Sequence, residues 1–256
     1  MNPDLSFALE LADLADSISL RRFRAHDLVV DQKPDLTPVT EADRAVEEAL
    51  RERIAAERAG ETVVGEEFGD DGGEGDRWIL DPIDGTKNYA RGIPIFATLI
   101  ALERGGELAV AVVSAPALQR RWWAAHREGA YGNGGRLRVS AVDRLDDAVL
   151  SYTTGSLHGD AIGGLVRRVW HARTFSDFWG HMLVAEGSVD AALDPWVNLW
   201  DLAALKLIVE EACGRFTDLE GIARADGGSG LSSNGLVHDA VLSALSESSD
   251  ALQSPG

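Results

Sequence analysis

Apolar residues recur at helical spacing over residues 4–23, at Leu5, Ala8, Leu9, Ala12 and Ala15, and predict an opening amphipathic helix. Residues 27–39, with Pro34 and Pro38, read as a loop. From Thr40 into the late 50s, Val46, Ala49, Leu50 and Ile54 fall on one face of a second helix. The pattern then shortens. Thr62–Gly65 reads as a strand that delivers Glu66 and Glu67, and residues 69–76 as a polar connection. Strand signals follow at 77–81, 95–103, 107–114 and 120–126, separated by Gly-rich turns. Beyond residue 146 the order changes. Ala148–Thr153 reads as a strand, 160–171 as a helix, 178–187 as a helix and Val189–Leu193 as a strand. Asp201–Gly214 reads as a strong helix with Leu202, Leu205, Ile208, Val209 and Ala212 inward, and the Ser-rich tail after Glu247 as frayed. Strands cluster first and then alternate with helices, which favours a layered α+β architecture over a doubly wound parallel sheet. The expected division is an N-terminal α+β half, 1–145, and a C-terminal α/β half, 146–256.

Composition narrows the class. With 256 residues, 45% of them hydrophobic and 26% charged, the chain reads as an ordinary soluble globular protein. No apolar run approaches the ~20 residues of a membrane span, and the acidic N-terminus carries no signal-peptide pattern. The single cysteine, Cys213, forbids an intrachain disulfide and fits a reducing cytoplasm. A net charge of −18, from 24 basic and 42 acidic residues, repels nucleic acid and anionic membranes. It would repel a phosphate ester too, unless bound divalent cations invert the local field.

The chemistry concentrates in Trp78-Ile79-Leu80-Asp81-Pro82-Ile83-Asp84-Gly85-Thr86-Lys87-Asn88. Here an apolar strand ends in two acids three apart, followed by Gly-Thr. Carboxylates at a strand end suit a hard cation such as Mg²⁺, and bare backbone N–H groups after them suit a phosphate. Three other segments carry acids: Thr40-Glu41-Ala42-Asp43, Gly65-Glu66-Glu67 and Trp200-Asp201. Each also has a plain structural reading. Thr40 and Asp43 fit a capping box, Asp201 an N-cap, Glu66 and Glu67 a solvated strand end, and Asp81 and Asp84 a turn around Pro82. A cap can also be a ligand. The six histidines show no metal-ligand spacing; His158 and His181, in the second half, are the two near a substrate side.

Taken together, Gly-Glu-Glu, Trp-x-x-Asp-Pro-Ile-Asp-Gly-Thr-x-Asn and Trp-Asp-x-Ala-Ala resemble the inositol monophosphatase-like superfamily, from about residue 5 to about 240. These are Mg²⁺-dependent, lithium-sensitive phosphatases. The resemblance implies a layered α-β-α-β-α sandwich, a homodimer, and a metal site between the two halves holding two or three Mg²⁺. By residue, it implies metal ligation by Glu66, Asp81, the Ile83 carbonyl, Asp84 and Asp201. It implies water activation by Thr86 with Asp43, aided by Glu66, and phosphate binding by the N–H groups of Gly85 and Thr86.

The leaving group must be read from departures. Where inositol phosphatases carry a small-residue stretch, this chain has Arg173-Thr174-Phe175-Ser176-Asp177-Phe178-Trp179-Gly180, and the inositol-binding glutamate corresponds to Asp194. An acidic and aromatic wall suits a cationic, planar leaving group. Residues 193–212 resemble the histidinol-phosphate phosphatase branch. The expected substrate is therefore the small-molecule ester histidinol phosphate. Asn88, Tyr89, Asp177, Trp179, Asp194 and Glu210 are the specificity candidates. The alternatives are an inositol monophosphatase, a nucleotide 3′-phosphatase, for which no basic cluster is present, and a non-catalytic metal- or phosphate-binding regulator. A dimer interface is expected around Arg91–Ile95 or the Trp122-Trp123 strand.

Overall fold

In the computed structural model the described residues are 2–33, 36–73, 75–153 and 159–253, with backbone alone for 159–161 and 248–253. His158 lies outside them. The chain opens with α1 (Pro3–Arg22), whose first N–H groups are capped by the Asn2 side chain. An antiparallel pair, β1 (Val30–Gln32) and β2 (Pro38–Thr40), leads into α2 (Glu41–Glu57). Then come β3 (Thr62–Gly65), β4 (Gly69–Asp70), β5 (Arg77–Asp84), the short α3 (Thr86–Ala90), β6 (Ala97–Arg104) and β7 (Glu107–Ala115). The first half closes with β8 (Arg120–Ala125), β9 (Gly129–Gly132) and β10 (Gly135–Arg136). The second half runs β11 (Val149–Tyr152), α4 (Gly159–Val166), β12 (His171–Arg173), α5 (Asp177–Ala185) and β13 (Ala191–Asp194). It ends with α6 (Leu199–Glu211), β14 (Arg215–Thr217), β15 (Gly230–Ser233) and α7 (His238–Gln253).

Strands β3–β10 form an eight-stranded sheet in the order β10-β9-β8-β7-β6-β5-β3-β4, antiparallel except for β3 beside β5. The second sheet has five strands, β12-β11-β13-β15-β14, with parallel pairs at β12-β11 and β11-β13. Side-chain alternation decides what covers each face. On β5, Trp78 and Leu80 pack with α1 and α2, while Ile79 points the other way, toward α5 and α6. Those two helices also touch Ala192 and Phe216 of the second sheet, so one core joins the two sheets. The outer face of the second sheet, through Leu150, Leu193 and Leu231, is covered by α4 and α7. The layers are therefore α1/α2, sheet, α5/α6, sheet, α4/α7: an α+β protein stacked α-β-α-β-α.

Several expectations change. The 27–39 loop contains the β1/β2 ladder, the 69–76 connection opens with β4, and β9, β10, β12, β14 and β15 were not read from the sequence at all. Each of these strands has two to four residues, too few for a period-2 pattern to register. The helix expected over 160–171 stops at Val166, because residues 171–173 pair with β11. The tail is helical to Gln253, with Val241 and Ala244 packed in the outer core, and residues 254–256 lie outside the described ones. Trp122 belongs to the core, and its indole N–H donates to Glu186.

At the start of α7, His238 is fully buried between two hydroxyls, Nδ1 2.8 Å from Ser233 Oγ and Nε2 2.9 Å from Thr217 Oγ1. Burial, with Arg215 nearby, pushes its pKa down to about 4. The unfolded chain takes up this proton below about pH 6.5, whereas the folded one resists until near 4. His238 thus contributes stability that is complete above pH 6.5 and is lost as pH falls toward 4, on the order of 2–3 kcal/mol. We expect the drop in melting temperature between pH 7 and pH 5 to be smaller in His238→Gln than in the parent. Equal drops would assign the acid sensitivity elsewhere.

Candidate active site

The site begins where β5 loses its regular register against β6, between Asp81 and Asp84. Pro82 has no N–H to give the ladder, and a bulge is where a strand tolerates it. The distortion is pinned locally: the Ile83 N–H donates to Asp81 Oδ1 at 3.0 Å, and Thr98 Oγ1 donates to the Pro82 carbonyl at 2.8 Å. It turns both Asp81 and Asp84 toward α6. Carboxylate oxygens of Asp81, Asp84 and Asp201 all come within 4.8 Å of one another. Gly85 then takes the left-handed conformation, φ 83°, and starts α3. A Cβ at Gly85 would lie 3.0 Å from the Ile95 carbonyl oxygen, so the turn needs glycine twice over.

Two more acids arrive on helices by the same local device. Asp43 and Asp201 each occupy the third position of a helical first turn. Asp43 Oδ2 accepts the Thr40 N–H at 2.9 Å and the Thr40 hydroxyl, leaving Oδ1 for Thr86, whose Oγ1 lies 3.1 Å away. The Thr86 hydroxyl also lies 2.9 Å from the Ile83 carbonyl. Asp201 Oδ2 accepts the Asn198 N–H at 2.6 Å. Asp201 is thus the third residue of a capping box, with Asn198 as the cap, and not itself the N-cap.

Glu66 follows β3 and faces the same cavity. Sequence reasoning gave its neighbour Lys33 no role. Lys33 lines the cavity and bridges Glu66 Oε1 at 2.8 Å and Glu67 Oε1 at 2.7 Å. A basic residue alone in an acid-rich stretch was the only available signal. Burial works against the Lys33 charge, but its bonds to both glutamates more than offset that and raise its pKa.

Electrostatics set this site apart from a surface acid patch. Burial pushes Asp81 and Asp84 well above the ordinary carboxylate range, reinforced by Glu66 for Asp81 and by Asp177 and Asp201 for Asp84. Burial also raises Asp201 to about 7, and Asp43 to about 6 despite the Thr40 hydrogen bonds. Such a cluster is costly without positive charge. An all-oxygen donor set of this density fits a hard divalent cation.

Opposite the triad, the cavity of about 670 Å³ is walled by Asn88, Asp177, Asp194 and Trp196. Asp177 sits at the start of α5 with φ 58°, an unusual conformation for a residue with a side chain. Its Oδ2 lies 3.4 Å from both Asn88 Nδ2 and Ser176 Oγ. Burial, then the charge of Asp194, raises its pKa. Asp194 is held tightly: Oδ2 lies 2.9 Å from His181 Nε2, and Oδ1 accepts from Thr153 Oγ1. His181 Nδ1 in turn lies 2.6 Å from Ser232 Oγ, all of it buried. His181 therefore reaches the site only through Asp194. The next residue of α5, Phe178, donates its N–H to Asp84 Oδ2 at 2.6 Å and ties the two walls together.

Three specificity candidates are corrected. Tyr89 is wholly buried against Phe23 and Phe96, and its hydroxyl donates to the Ser19 carbonyl at 2.7 Å. Trp179 packs on the central core and on Phe175 at 5.5 Å, outside the cavity lining. Glu210 accepts from Lys206 Nζ at 2.6 Å and faces a separate cleft with Arg77 and Glu103. About two and a half turns of helix divide it from the site, since Asp201 is near one end of α6 and Glu210 near the other.

Fold and site together define a phosphoric monoester hydrolase built around a divalent-cation centre. The chain belongs to the inositol monophosphatase family, whose model matches residues 1–250. It is similar to the histidinol-phosphatase of Mycobacterium tuberculosis, 52% identical over 94% of this chain and 97% of that protein. It is also similar to the histidinol-phosphatase of Streptomyces coelicolor, 47% identical over 95% of this chain and 97% of that protein. Among solved structures, the Thermotoga maritima IMPase superposes with a TM-score of 0.89 at 32% identity, covering 97% of this chain and 99% of that one. Among the described residues no helix is long and apolar enough to cross a membrane.

The raised carboxyl pKa values give metal binding a pH dependence. Below about pH 7 the metal-free protein holds a proton on Asp201, which a cation must displace. Affinity for a divalent cation should therefore fall at least about tenfold from pH 8 to pH 6, the effect of one displaced proton with this pKa. Calorimetry in two buffers of different ionisation enthalpy should register proton release at pH 6.5. Zero release there would mean that the cluster is already ionised.

Proposed function

We propose that the chain hydrolyses histidinol phosphate to histidinol and inorganic phosphate with Mg²⁺, two or three ions per site. The ligands are Glu66, Asp81, the Ile83 carbonyl, Asp84 and Asp201. The donor set supports this assignment: it is oxygen throughout, and three of its four carboxylates, Asp81, Asp84 and Asp201, lie within 4.8 Å of one another. When bound, the ions supply positive charge against the phosphate and acidify an attacking water.

Every other part falls to side chains of this chain. The Thr86 hydroxyl donates to Asp43 Oδ1, so its oxygen is turned to accept from water. As the water oxygen bonds to phosphorus, its proton passes to Thr86 Oγ1 and the Thr86 proton to Asp43. Burial suits Asp43 to this, because a carboxyl raised to about 6 is ionised at neutral pH yet accepts a proton more readily than a surface aspartate. The bond from phosphorus to the histidinol oxygen breaks with its electron pair left on that oxygen, which takes a proton from a solvent water, and Asp43 gives its own proton back to solvent, so that no net proton is gained or lost. The Gly85 and Thr86 N–H groups steady the phosphate.

One observation carries the choice of leaving group: the Asp177 carboxyl faces the cavity with only long contacts, at 3.4 Å, to its neighbours. It is the wall carboxyl with capacity left to receive an ammonium, whereas both Asp194 oxygens are engaged by Thr153 and His181. The half-exposed Trp196 offers a face for a planar imidazole. The names of the two curated relatives at 52% and 47% identity support the same substrate.

Phosphate release with Mg²⁺ should be much faster from histidinol phosphate than from inositol 1-phosphate; the reverse order would transfer the assignment to inositol esters. Asp177→Asn should raise KM for histidinol phosphate by about 30-fold or more, the cost of leaving one member of a buried charge pair alone, and should narrow that preference. Asp84→Asn should lower turnover by at least about 100-fold. A variant with full turnover would remove Asp84 from the ligand set.

A further inference from the structure

We propose that Glu47 is a positioning residue for the metal centre, acting through the turn that carries Glu66. Glu47 lies on α2 one helical turn beyond Asp43, so both acids share a helix face. It is completely buried. Its oxygens accept the Glu67 N–H at 2.7 Å and the Phe68 N–H at 3.2 Å. Glu66, between β3 and these two anchored residues, has its own N–H on the Leu80 carbonyl at 3.3 Å. The backbone around Glu66 is thus fixed from both sides, by the metal-bearing strand and by Glu47.

The chain makes room for this arrangement. A Cβ on Gly65 would lie 2.1 Å from Glu47 Oε1, so any residue but glycine before Glu66 collides with the carboxylate. Gly65 does not have a positive φ, and its need for glycine is one of space alone. Arg51, the next residue along the same face, completes the seat. Its Nε donates to Glu47 Oε1 at 2.9 Å, its Nη1 to Asp71 Oδ1 at 2.6 Å and its Nη2 to the Gly69 carbonyl. A buried carboxylate with an arginine behind it is an expensive way to hold a surface turn. Glu47 accepts from two backbone donors, the Glu67 and Phe68 N–H groups, and the turn they belong to presents Glu66 to the cavity. Hydrogen-bonding groups one shell out orient ligands and typically affect metal affinity or activity 10–100-fold.

This inference rests on the assignment of Glu66 as a ligand, and the experiment separates the two. Mg²⁺ affinity by calorimetry and melting temperature without metal are measured for Glu66→Gln, Glu47→Gln, Glu47→Ala and Gly65→Ala, and for Glu47→Ala with Gly65→Ala. Glu47→Gln keeps one acceptor oxygen and fills the same space, so it folds if any variant does. It should weaken Mg²⁺ binding about tenfold, and Glu47→Ala further still. Gly65→Ala should resemble Glu47→Ala. The double variant should lose less affinity than the two single losses multiplied, because removing the carboxylate vacates the space that the new methyl needs. If Glu47→Gln lowers the melting temperature but leaves Mg²⁺ affinity intact while Glu66→Gln weakens it, Glu47 is structural only. If Glu66→Gln leaves affinity intact, the assignment of Glu66 fails first.

Discussion

Asp81, Asp84 and Asp201 are brought within 4.8 Å of one another in a largely buried place, with Glu66 close enough to raise the Asp81 pKa further. Left to themselves, these carboxyl groups would repel one another or take up protons. The surrounding structure answers that repulsion by fixing each group from behind. Asp81 is bonded by the Ile83 N–H, Asp84 by the Phe178 N–H, Asp201 by the Asn198 N–H, and Glu66 by Lys33. In each case one oxygen is satisfied by the protein and the cluster as a whole remains short of positive charge. Preorganisation here means that the cost of crowding is met on folding and recovered when a cation arrives.

Helix capping supplies much of that fixing. Asp43 and Asp201 come from different halves, yet both are third residues of a first helical turn, returning one carboxylate oxygen to the cap N–H. The cap sets the rotamer, and the helix dipole favours the charge at that end. The plain reading of these residues as caps and the chemical reading as site groups are the same arrangement seen from two sides.

This explains how much was legible beforehand. Long elements with a clear period, such as α1, α2, α6 and β5–β8, were readable because each covers a wide apolar surface. The short strands of the second sheet were not, since β12, β14 and β15 depend on neighbours far along the chain. The acids of the central motif stood out because their spacing is local. Specificity was harder. Tyr89, Trp179 and Glu210 sit near the right residues in sequence but point elsewhere, because helix phase and core packing, not proximity in sequence, decide which face a side chain takes. Lys33 and Glu47 escaped notice for the opposite reason. Their partners lie about 20 to 34 positions away, across turns that no periodicity reports.

The left-handed backbone at Asp177 bears on how this cavity can change over generations. Aspartate, asparagine and glycine adopt that conformation at little cost, whereas β-branched and bulky residues do not. Single substitutions that preserve the start of α5 can therefore remove the negative charge from this wall far more easily than they can install a large apolar group. With Asp177 in its proposed role of receiving the ammonium, a lineage starting from this sequence would drift toward neutral, polar leaving groups by one step, while the cation centre, built on other residues, stayed as it is. Toward greasy substrates the same position is closed by its own main chain.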